Sequence, residues 1–590
     1  MKLQQITGLL LAISLLYGCR PATDNSSPDS SATAPAPTAK TPPPVTLQHR
    51  FQRIVLPPEQ QSATITPAGN NSTQPPNNDS ARWLFPRIMA GGCGIADLNQ
   101  DHLPDLILIG LTSTELPEHA TSLLQILQQQ PDGSFQDVSQ TAQLAFTGIP
   151  GGIAVGDFDN DGLSDLCLTG FSDCRLYRNL GNFHFADVTA ATPLRTGRWS
   201  TSAAFLDFDR DGHLDLFITN YVDYDPTHHC QDAAGRLDFC SPSVFPRTTD
   251  RLFRNTGTAP WFEDVSATSG ITRLRGAGLG VAAADWNNDG WIDIFVANDG
   301  HPNFLWINQQ NGTFEEEAVL RGVAADAAGQ SQGSMGVAVA DLDGNLLPDL
   351  VVTNLDGESN SVCLNQAGSF QELSSAWQMD SSSWPFTGFG TALADLNHDG
   401  YTDFVAVHGR VRRQTASPES PTADTFWDGY REQQLLLLGH NDHFEKPDGV
   451  DEFSSLVAVA RGLASGDVDN DGDIDLLITC LDQPSVLLKN EMSSGHWLSI
   501  QPRLATAGQR AATGATVTIT TNGQSHTAFL IGGGSYQSTC AQNLHFGLGN
   551  LQQVDQITIR WPDGMEEVFP GCPADQRLSL LQGTGTPAAR

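Results

Sequence analysis

Gly466–Leu477 reads GDVDNDGDIDLL, and near-copies of it recur through the middle of a 590-residue chain. Written as D-x-[DN]-x-[DN]-G-x-x-D, the stretch puts oxygen side chains at positions one, three, five and nine, with glycine at six for a sharp turn. A hard cation such as Ca²⁺ takes oxygen ligands at flexible angles, and the opening of the pattern matches the calcium loop of EF-hands. The glutamate that closes an EF-hand loop at position twelve is absent. The flanks, GLASGDV before and DIDLLITC after, are short and strand-like, so this loop joins two strands.

Aligned on the first aspartate, the chain holds seven copies. Five keep the whole pattern: Asp157/Asp159/Asp161/Asp165, Asp207/Asp209/Asp211/Asp215, Asp285/Asn287/Asp289/Asp293, Asp395/Asn397/Asp399/Asp403 and Asp467/Asp469/Asp471/Asp475. The first copy, Asp97/Asn99/Asp101/Asp105, has His102 in place of the glycine, and the fifth, Asp341/Asp343/Asn345/Asp349, has Leu346. These two are expected to hold a metal less well. The cofactor implied is calcium, clamping each loop so that its strands pair. Ions saturated by protein oxygens leave no open position for substrate, so a catalytic role for calcium is not expected.

The segments after each loop decide the fold. In the second copy GGIAVGDF leads in and DLCLTG leads out, succeeded by CRLYRN, a turn at 180–182 and FHFADVT. The third copy repeats this with STSAAFLDF, DLFITN, DRLFRN and WFEDVS, and the fourth with GVAAADW, DIFVAN, FLWIN and GTFEEE. Short alternating or apolar runs between turn residues make four antiparallel strands per repeat. Repeats of about fifty residues with four strands each are the signature of propeller blades. The expected fold is all-β, a seven-bladed β-propeller over 81–490 followed by a small antiparallel β domain over 491–583.

The run of D-x-D-x-D-G-x-x-D loops with trailing L-[YF]-R-N and F-x-D-V-[TS] elements resembles the FG-GAP/VCBS repeat superfamily, to which the integrin α-subunit propeller belongs. That resemblance implies calcium loops on a propeller and says nothing of integrin ligands. The tail reads HWLSIQPRL, GATVTITTNGQSHTAFLIGGGSYQST, NLHFGLGN and VDQITIRWPDGMEEVFPG. These motifs resemble the ASPIC/UnbV domain, and the order of repeats and tail is that of the cartilage acidic protein-like family. The resemblance implies calcium-dependent extracellular interaction as a class of function. Gly532-Gly533-Gly534-Ser535-Tyr536 lacks the GK[ST] and helix of a phosphate loop and reads as a tight β-turn with a packed tyrosine.

Net charge is −36 although only 17% of residues are charged, and the seven loops hold 25 of the aspartates. Much of the acidity is therefore ligand, and seven Ca²⁺ ions would reduce the net charge to about −22. Such a chain does not bind nucleic acid through its phosphates. Residues 1–18 form a lysine-bearing apolar start, too short to span a membrane stably, that ends in Leu16-Tyr17-Gly18-Cys19. This resembles a bacterial lipobox with acylation of Cys19; the alternative is an ordinary secretory signal cut nearby. Secretion, or a lipid anchor at the bacterial outer membrane or cell surface, is expected, with membrane contact through the anchor alone. Residues 19–80 are rich in Pro, Ser and Thr and read as a disordered tether. The apolar segment RFQRIVL at 50–56 interrupts it and reads as a strand that pairs with an end blade to close the ring.

By proximity, Cys167 pairs with Cys174, Cys230 with Cys240 and Cys540 with Cys572, in keeping with an oxidising compartment. Cys93, Cys363 and Cys480 read as buried small hydrophobes. Two insertions, Tyr221–Thr249 and His408–Gln434, are the expected partner surface, because long loops on a rigid scaffold carry binding. The second carries aromatic Phe426, Trp427 and Tyr430. A transition-metal site among His228, His229, Cys230 and Cys240 fits no zinc spacing. No nucleophile–base motif stands out. The function expected is a calcium-binding scaffold for a protein or glycan ligand. The alternative is a cell-surface polysaccharide-active enzyme with its site at the propeller mouth, facing the tail.

Overall fold

A computed structural model describes residues 51–57, 83–109, 121–195, 197–414, 426–449, 451–492, 495–506 and 508–588. Cys19, residues 1–18 and the tether other than 51–57 lie outside these. The repeats form seven four-stranded antiparallel sheets, one for each aspartate loop. Their inner strands, Cys93–Ala96, Ile149–Gly156, Ser200–Leu206, Gly278–Ala284, Val337–Ala340, Gly388–Ala394 and Ala460–Gly466, neighbour one another in chain order, and the last returns to the first. That closed cycle is a β-propeller. The seventh sheet takes its outer strand from the other end of the chain: Phe51–Ile54 pairs antiparallel with Val486–Asn490, from Phe51 opposite Asn490 to Ile54 opposite Leu487. The apolar break in the tether thus closes the ring, so the tether does not run uninterrupted to residue 80.

Two devices draw neighbouring sheets together. Five residues before the first aspartate of each loop stands Gly92, Gly152, Ser202, Gly280, Gly336, Gly390 or Gly462. A Cβ at Gly280 would meet the Met335 carbonyl oxygen at 2.2 Å, and one at Gly336 the Phe389 oxygen at 2.0 Å, so glycine lets the next sheet's backbone approach. The second device is the asparagine of L-[YF]-R-N. Asn308 donates from its side chain to Ile292 O (3.2 Å) in its own sheet and to Phe208 O (2.8 Å) in the preceding one. Asn179, Asn255, Asn365 and Asn490 reach across to Leu98, Phe158, Trp286 and Leu396 in the same way.

The tail packs two sheets around Val517, Ile519, Ile557, Ile559 and Trp561. It is not wholly antiparallel, because His496–Arg503 runs parallel to Gln576–Leu581, and it extends beyond 583 to a strand at Thr586–Pro587. Nor does it stand apart from the propeller. Its Gly532–Ala541 segment enters the central channel and bonds to all seven inner strands. Gly534 donates to Val281 O (2.8 Å), Val337 to Ser535 O (3.0 Å), Ile153 to Gln537 O (3.0 Å), Thr539 to Cys93 O (2.9 Å) and Ala541 to Ser465 O (3.0 Å). Gln537 donates to the Ser202 hydroxyl (3.1 Å), and Thr391 to that of Ser535 (3.1 Å). Tyr536, expected to be packed, is 0% exposed, edge-on to Phe389, and donates to Met89 O at 2.7 Å near the far end of the channel.

That far end is capped by the buried helix Phe85–Met89 and by the two insertions. Aromatic residues of the two insertions pack against one another, while His228, His229 and Arg236 of the first remain exposed. Tyr430 is 0% exposed and donates to Asp238, Arg413 N donates to Asp238 Oδ2 (3.2 Å), and Phe426 and Trp427 pack on Phe239. Each insertion covers the other's aromatic residues. Cys230 and Cys240 are bridged, so they offer no thiolate to a metal. The other two pairings do not form: Cys167 and Cys174 keep their sulfurs 4.0 Å apart, a contact and not a bond, while Cys540 lies beside Cys93, with Cys572 free in the tail.

Replacing Asn308 with alanine strips the donor from two buried carbonyls in adjacent sheets. The expected loss is about 2–3 kcal/mol, read as a lower urea midpoint than that of the unaltered chain.

Candidate functional site: aspartate loops beneath the tail

Each aspartate loop is built by its own side chains. In the second, Asp157 Oδ1 accepts from Asp161 N (3.1 Å) and Oδ2 from Gly162 N (2.7 Å), while Asp161 Oδ1 accepts from Leu163 N (2.9 Å). Position four is left-handed in all seven loops, at Gln100, Asn160, Arg210, Asn288, Gly344, His398 and Asn470. Where glycine is missing at six, His102 and Leu346 adopt φ 68° and still donate to the first aspartate at 2.9 Å. The two degenerate loops therefore fold like the others, at a strain of roughly 1–2 kcal/mol each.

The ninth-position aspartate does a different job. Asp165 accepts from Phe158 N (3.1 Å) and from Asn179 N on the third strand (2.7 Å), pinning loop to sheet. Asp105, Asp215, Asp293, Asp349, Asp403 and Asp475 repeat this, each with two backbone donors and exposure of 0–1%. Burial, with the loop carboxylates adding to it, pushes their acidity well away from the usual range: Asp105 up to about 7 and Asp349 to about 8. Asp165, Asp215, Asp293, Asp403 and Asp475 are likewise raised well above the usual carboxylate value by burial. Desolvation also lifts the first-position Asp157, Asp207 and Asp341 to about 6.

Buried carboxylates this close together require positive charge. Oxygens of Asp157, Asp159 and Asp165 lie within 4.8 Å of one another, as do those of Asp207, Asp209 and Asp215 and of Asp341, Asp343 and Asp349. Asp467 Oδ1 is sealed from solvent without a hydrogen bond, and Asp159 Oδ2, equally sealed, is met by the Arg178 guanidinium. The donor set is all oxygen, which fits calcium. Protein cations supply part of the charge: Arg178 pairs with Asp161 (3.0 Å), Arg254 with Asp209 (2.7 Å), and Lys489 with Asp469 and with Asp471 (2.9 Å). These are the basic residues of L-[YF]-R-N and its seventh-sheet variant LLKN.

The sequence pattern puts the fifth position among the ligands, whereas these three groups draw on positions one, three and nine. Asp161, Asp211 and Asn345 stand outside them, because their side chains turn back to cap the loop: each accepts from the backbone two residues on, Asp211 from His213 N at 2.9 Å. Asp101, Asp289 and Asp399 make the same bond, to Leu103, Trp291 and Tyr401 at 2.9 Å. Asparagine at position three changes the loop again. The amides of Asn99, Asn287 and Asn397 donate to the second oxygen of Asp101 (2.8 Å), Asp289 (3.1 Å) and Asp399 (3.1 Å), while their own oxygens accept from the backbone N of the same three aspartates. In these loops the third and fifth residues are tied to each other, so both oxygens expected to bind metal are already engaged. In the seventh loop Asp469 is instead held by the Lys489 ammonium.

The tail sits on this end of the ring and adds cations that the loop motif does not announce. Arg560 reaches Asp285 (3.0 Å) and Asn288 (2.7 Å), and Arg577 reaches Asp467. Arg510, 2% exposed, donates to Asn160 Oδ1 (2.7 Å) and Gly212 O (3.1 Å) between the second and third loops. The only local signal is an arginine amid the alternating tail strands. The HFGLG strand lies over the sixth loop, where Gly549 N donates to His398 O (2.8 Å) and a Cβ at Gly547 would meet Asp395 Oδ2 at 1.8 Å. A cavity of about 700 Å³ remains between tail and ring, lined by Tyr401, Asn441, Gln524, His526 and Thr527 together with loop aspartates.

Fold and loops define the class: a repeat propeller closed by a plugging tail. The family model for FG-GAP-like repeats matches 97–168, 157–218, 285–352 and 341–406, and that for ASPIC and UnbV matches 505–587. The chain is thus an FG-GAP-repeat protein with a C-terminal ASPIC/UnbV domain. Among its relatives is cartilage acidic protein 1, from Mus musculus at 25% identity over 87% of this chain and 78% of the relative, and from Homo sapiens at 24% over 70% and 69%. In structure the chain is similar to the BP39L lectin of Burkholderia pseudomallei at 10% identity and TM-score 0.42, over 69% of this chain and 97% of the lectin. A likeness at this level bears on neither ligand nor chemistry.

The raised acidities set a pH dependence. A carboxyl whose folded value exceeds its unfolded value of about 3.9 stabilises the fold below that value, and the contribution is lost as pH rises through the folded one. In chelator, the melting temperature is expected to fall by several degrees between pH 5 and 8.5. Saturating calcium, which replaces the protons, is expected to flatten that profile, as calorimetry would show.

Proposed function

We propose that this chain is an extracytoplasmic, calcium-dependent glycan-binding scaffold whose ligand seat is the cavity between tail and ring. The observation that carries the reading is the lining of that cavity. Tyr401 is 42% exposed and offers an aromatic face, and Asn441, Gln524, Ser525 and Thr527 offer amides and hydroxyls to sugar hydroxyls. Asp341, Asp343 and Asp399 also face the cavity, so the fitting ligand is a neutral glycan and not a polyanion. Calcium acts by holding the fifth loop, whose Asp341, Asp343 and Asp349 bring their oxygens together at one wall of the cavity. The extracytoplasmic address rests on the lipobox-like LYGC and on the Cys230–Cys240 disulfide. Among the described residues no helix is long and apolar enough to cross a membrane.

Binding is favoured over turnover by how the wall carboxylates are engaged. Asp395 accepts from Asp399 N (3.1 Å) and Gly400 N (2.7 Å), and Asp341 from Asn345 N (3.0 Å) and Leu346 N (2.9 Å). Their lone pairs serve the loops rather than a sugar. The rival enzyme site, at the propeller mouth facing the tail, would have to use this same cavity and these same carboxylates.

Titration calorimetry with a panel of neutral oligosaccharides in calcium is expected to find a binder. Its affinity should drop at least tenfold in Tyr401→Ala and Gln524→Ala and disappear in chelator. Affinity indifferent to both substitutions, or release of reducing ends from the oligosaccharide, would contradict the proposal.

A further inference from the structure

Two histidines at the seam between tail and ring are left in an unusual state. His398 occupies the left-handed fourth position of the sixth loop and is 0% exposed. His545 belongs to the HFGLG strand of the tail. All four of their ring nitrogens are closed off from solvent and none makes a hydrogen bond of good geometry, although the carbonyls of Gly472 and Gly495 lie beside His398 and that of Gly472 beside His545. A buried imidazole ordinarily satisfies at least one nitrogen, and each group left alone costs about 1–3 kcal/mol. A metal ion between the rings would take one nitrogen from each of them.

We propose that His398, His545 and the carboxylate of Asp473 form a structural zinc site. Asp473 stands in the seventh loop with Oδ1 3.5 Å from His398 Nε2, too far for a good hydrogen bond. The two imidazole centres are 4.9 Å apart with the planes tilted by 32°. Tetrahedral zinc, with ligand bonds of about 2.0–2.2 Å, sets ligand atoms roughly 3.3–3.5 Å apart and two imidazole centres roughly 5 Å apart. Both spacings match. The Gly472 carbonyl faces both rings without hydrogen-bond geometry and is placed to complete the set. Trp497 roofs the site, its ring stacked on that of His545 at 6.5 Å and so close to Gly472 that a Cβ there would meet it at 2.0 Å. A closed set containing two imidazoles selects zinc and its neighbours over calcium, in contrast to the all-oxygen aspartate loops.

The consequence is a cross-link of three chain segments. Zinc would tie the sixth and seventh loops to the strand Leu544–Gly549, which comes directly after the segment that fills the channel. The tail would then be fastened to the ring by a bond independent of calcium.

The test uses the full chain without a histidine tag, stripped of metal, held in saturating calcium and titrated with zinc, with bound metal counted by mass spectrometry. One equivalent is expected. Cobalt in its place should give the intense visible absorption of a tetrahedral site. His545→Gln and His398→Gln should weaken zinc at least a hundredfold, and Asp473→Asn about tenfold. The exposed trio His440, His443 and Glu445 also brings its ligand atoms together, so a His440→Gln/His443→Gln variant is the control and should retain zinc unchanged. Should His398→Gln fail to fold, His545→Gln and the cobalt spectrum still decide. No zinc on the unaltered chain, zinc lost only from the control, or affinity unchanged in His545→Gln would each overturn the site.

Discussion

A closed ring of seven sheets leaves inner strands whose backbone groups point along a narrow axis, away from water and from one another. Unpaired polar groups of this kind are costly, so the channel has to be filled by something that hydrogen-bonds at every level. Here the tail fills it. Gly534, Ser535, Gln537, Thr539 and Ala541 exchange bonds with all seven inner strands, and Tyr536 spans the remaining depth to Met89. The narrowness has the same origin. Glycine five residues before each loop brings the sheets close, so only a single extended strand with glycines at Gly533 and Gly534, both left-handed, can enter. In the third sheet the position is Ser202, and its hydroxyl takes the Gln537 amide instead.

Fold and charge are linked through the loops. The ninth-position aspartate must be buried to reach both its own loop and the third strand, and burial without a cation raises its acidity. Three sources of positive charge bear on that cost: the calcium proposed for the loops, the third-strand cations Arg178, Arg254 and Lys489, and the tail arginines Arg510, Arg560 and Arg577. The tail is therefore held by the charges that the loops create as well as by the plug.

The four-strand repeat, the loop positions and the closing strand at 51–54 were legible because each follows from local pattern: oxygen spacing, alternation and an apolar break in a polar tether. The packed Tyr536 was legible for the same reason. What the residues could not show was long-range. Asn308 looks like the end of a strand until it is seen bonding a carbonyl one hundred positions away. The GGGSYQST stretch reads as a turn, because nothing local says that it threads a ring. That Phe239 of one insertion packs on Phe426, Trp427 and Tyr430 of the other could not be seen while each insertion was read alone. Proximity in sequence likewise favoured Cys540 with Cys572, whereas the channel segment carries Cys540 to Cys93. Oxygen spacing also hides direction: Asn99 and Asp101 sit at ligand positions, yet they bond to each other. His398 carried one faint signal, a bulky ring at a left-handed position that the other six loops give to asparagine, glycine, glutamine or arginine. Its partner His545 had none.

The claim on which the rest depends is that the tail segment occupies the axis of the ring. Amide hydrogen exchange, followed by mass spectrometry on peptides spanning 532–541, tests it directly. Protection of these amides matching that of the inner strands Ile149–Gly156 and Gly278–Ala284 is the result predicted. Exchange within seconds, as in an exposed turn, would mean that the segment lies outside the channel and that the ring is closed by some other means.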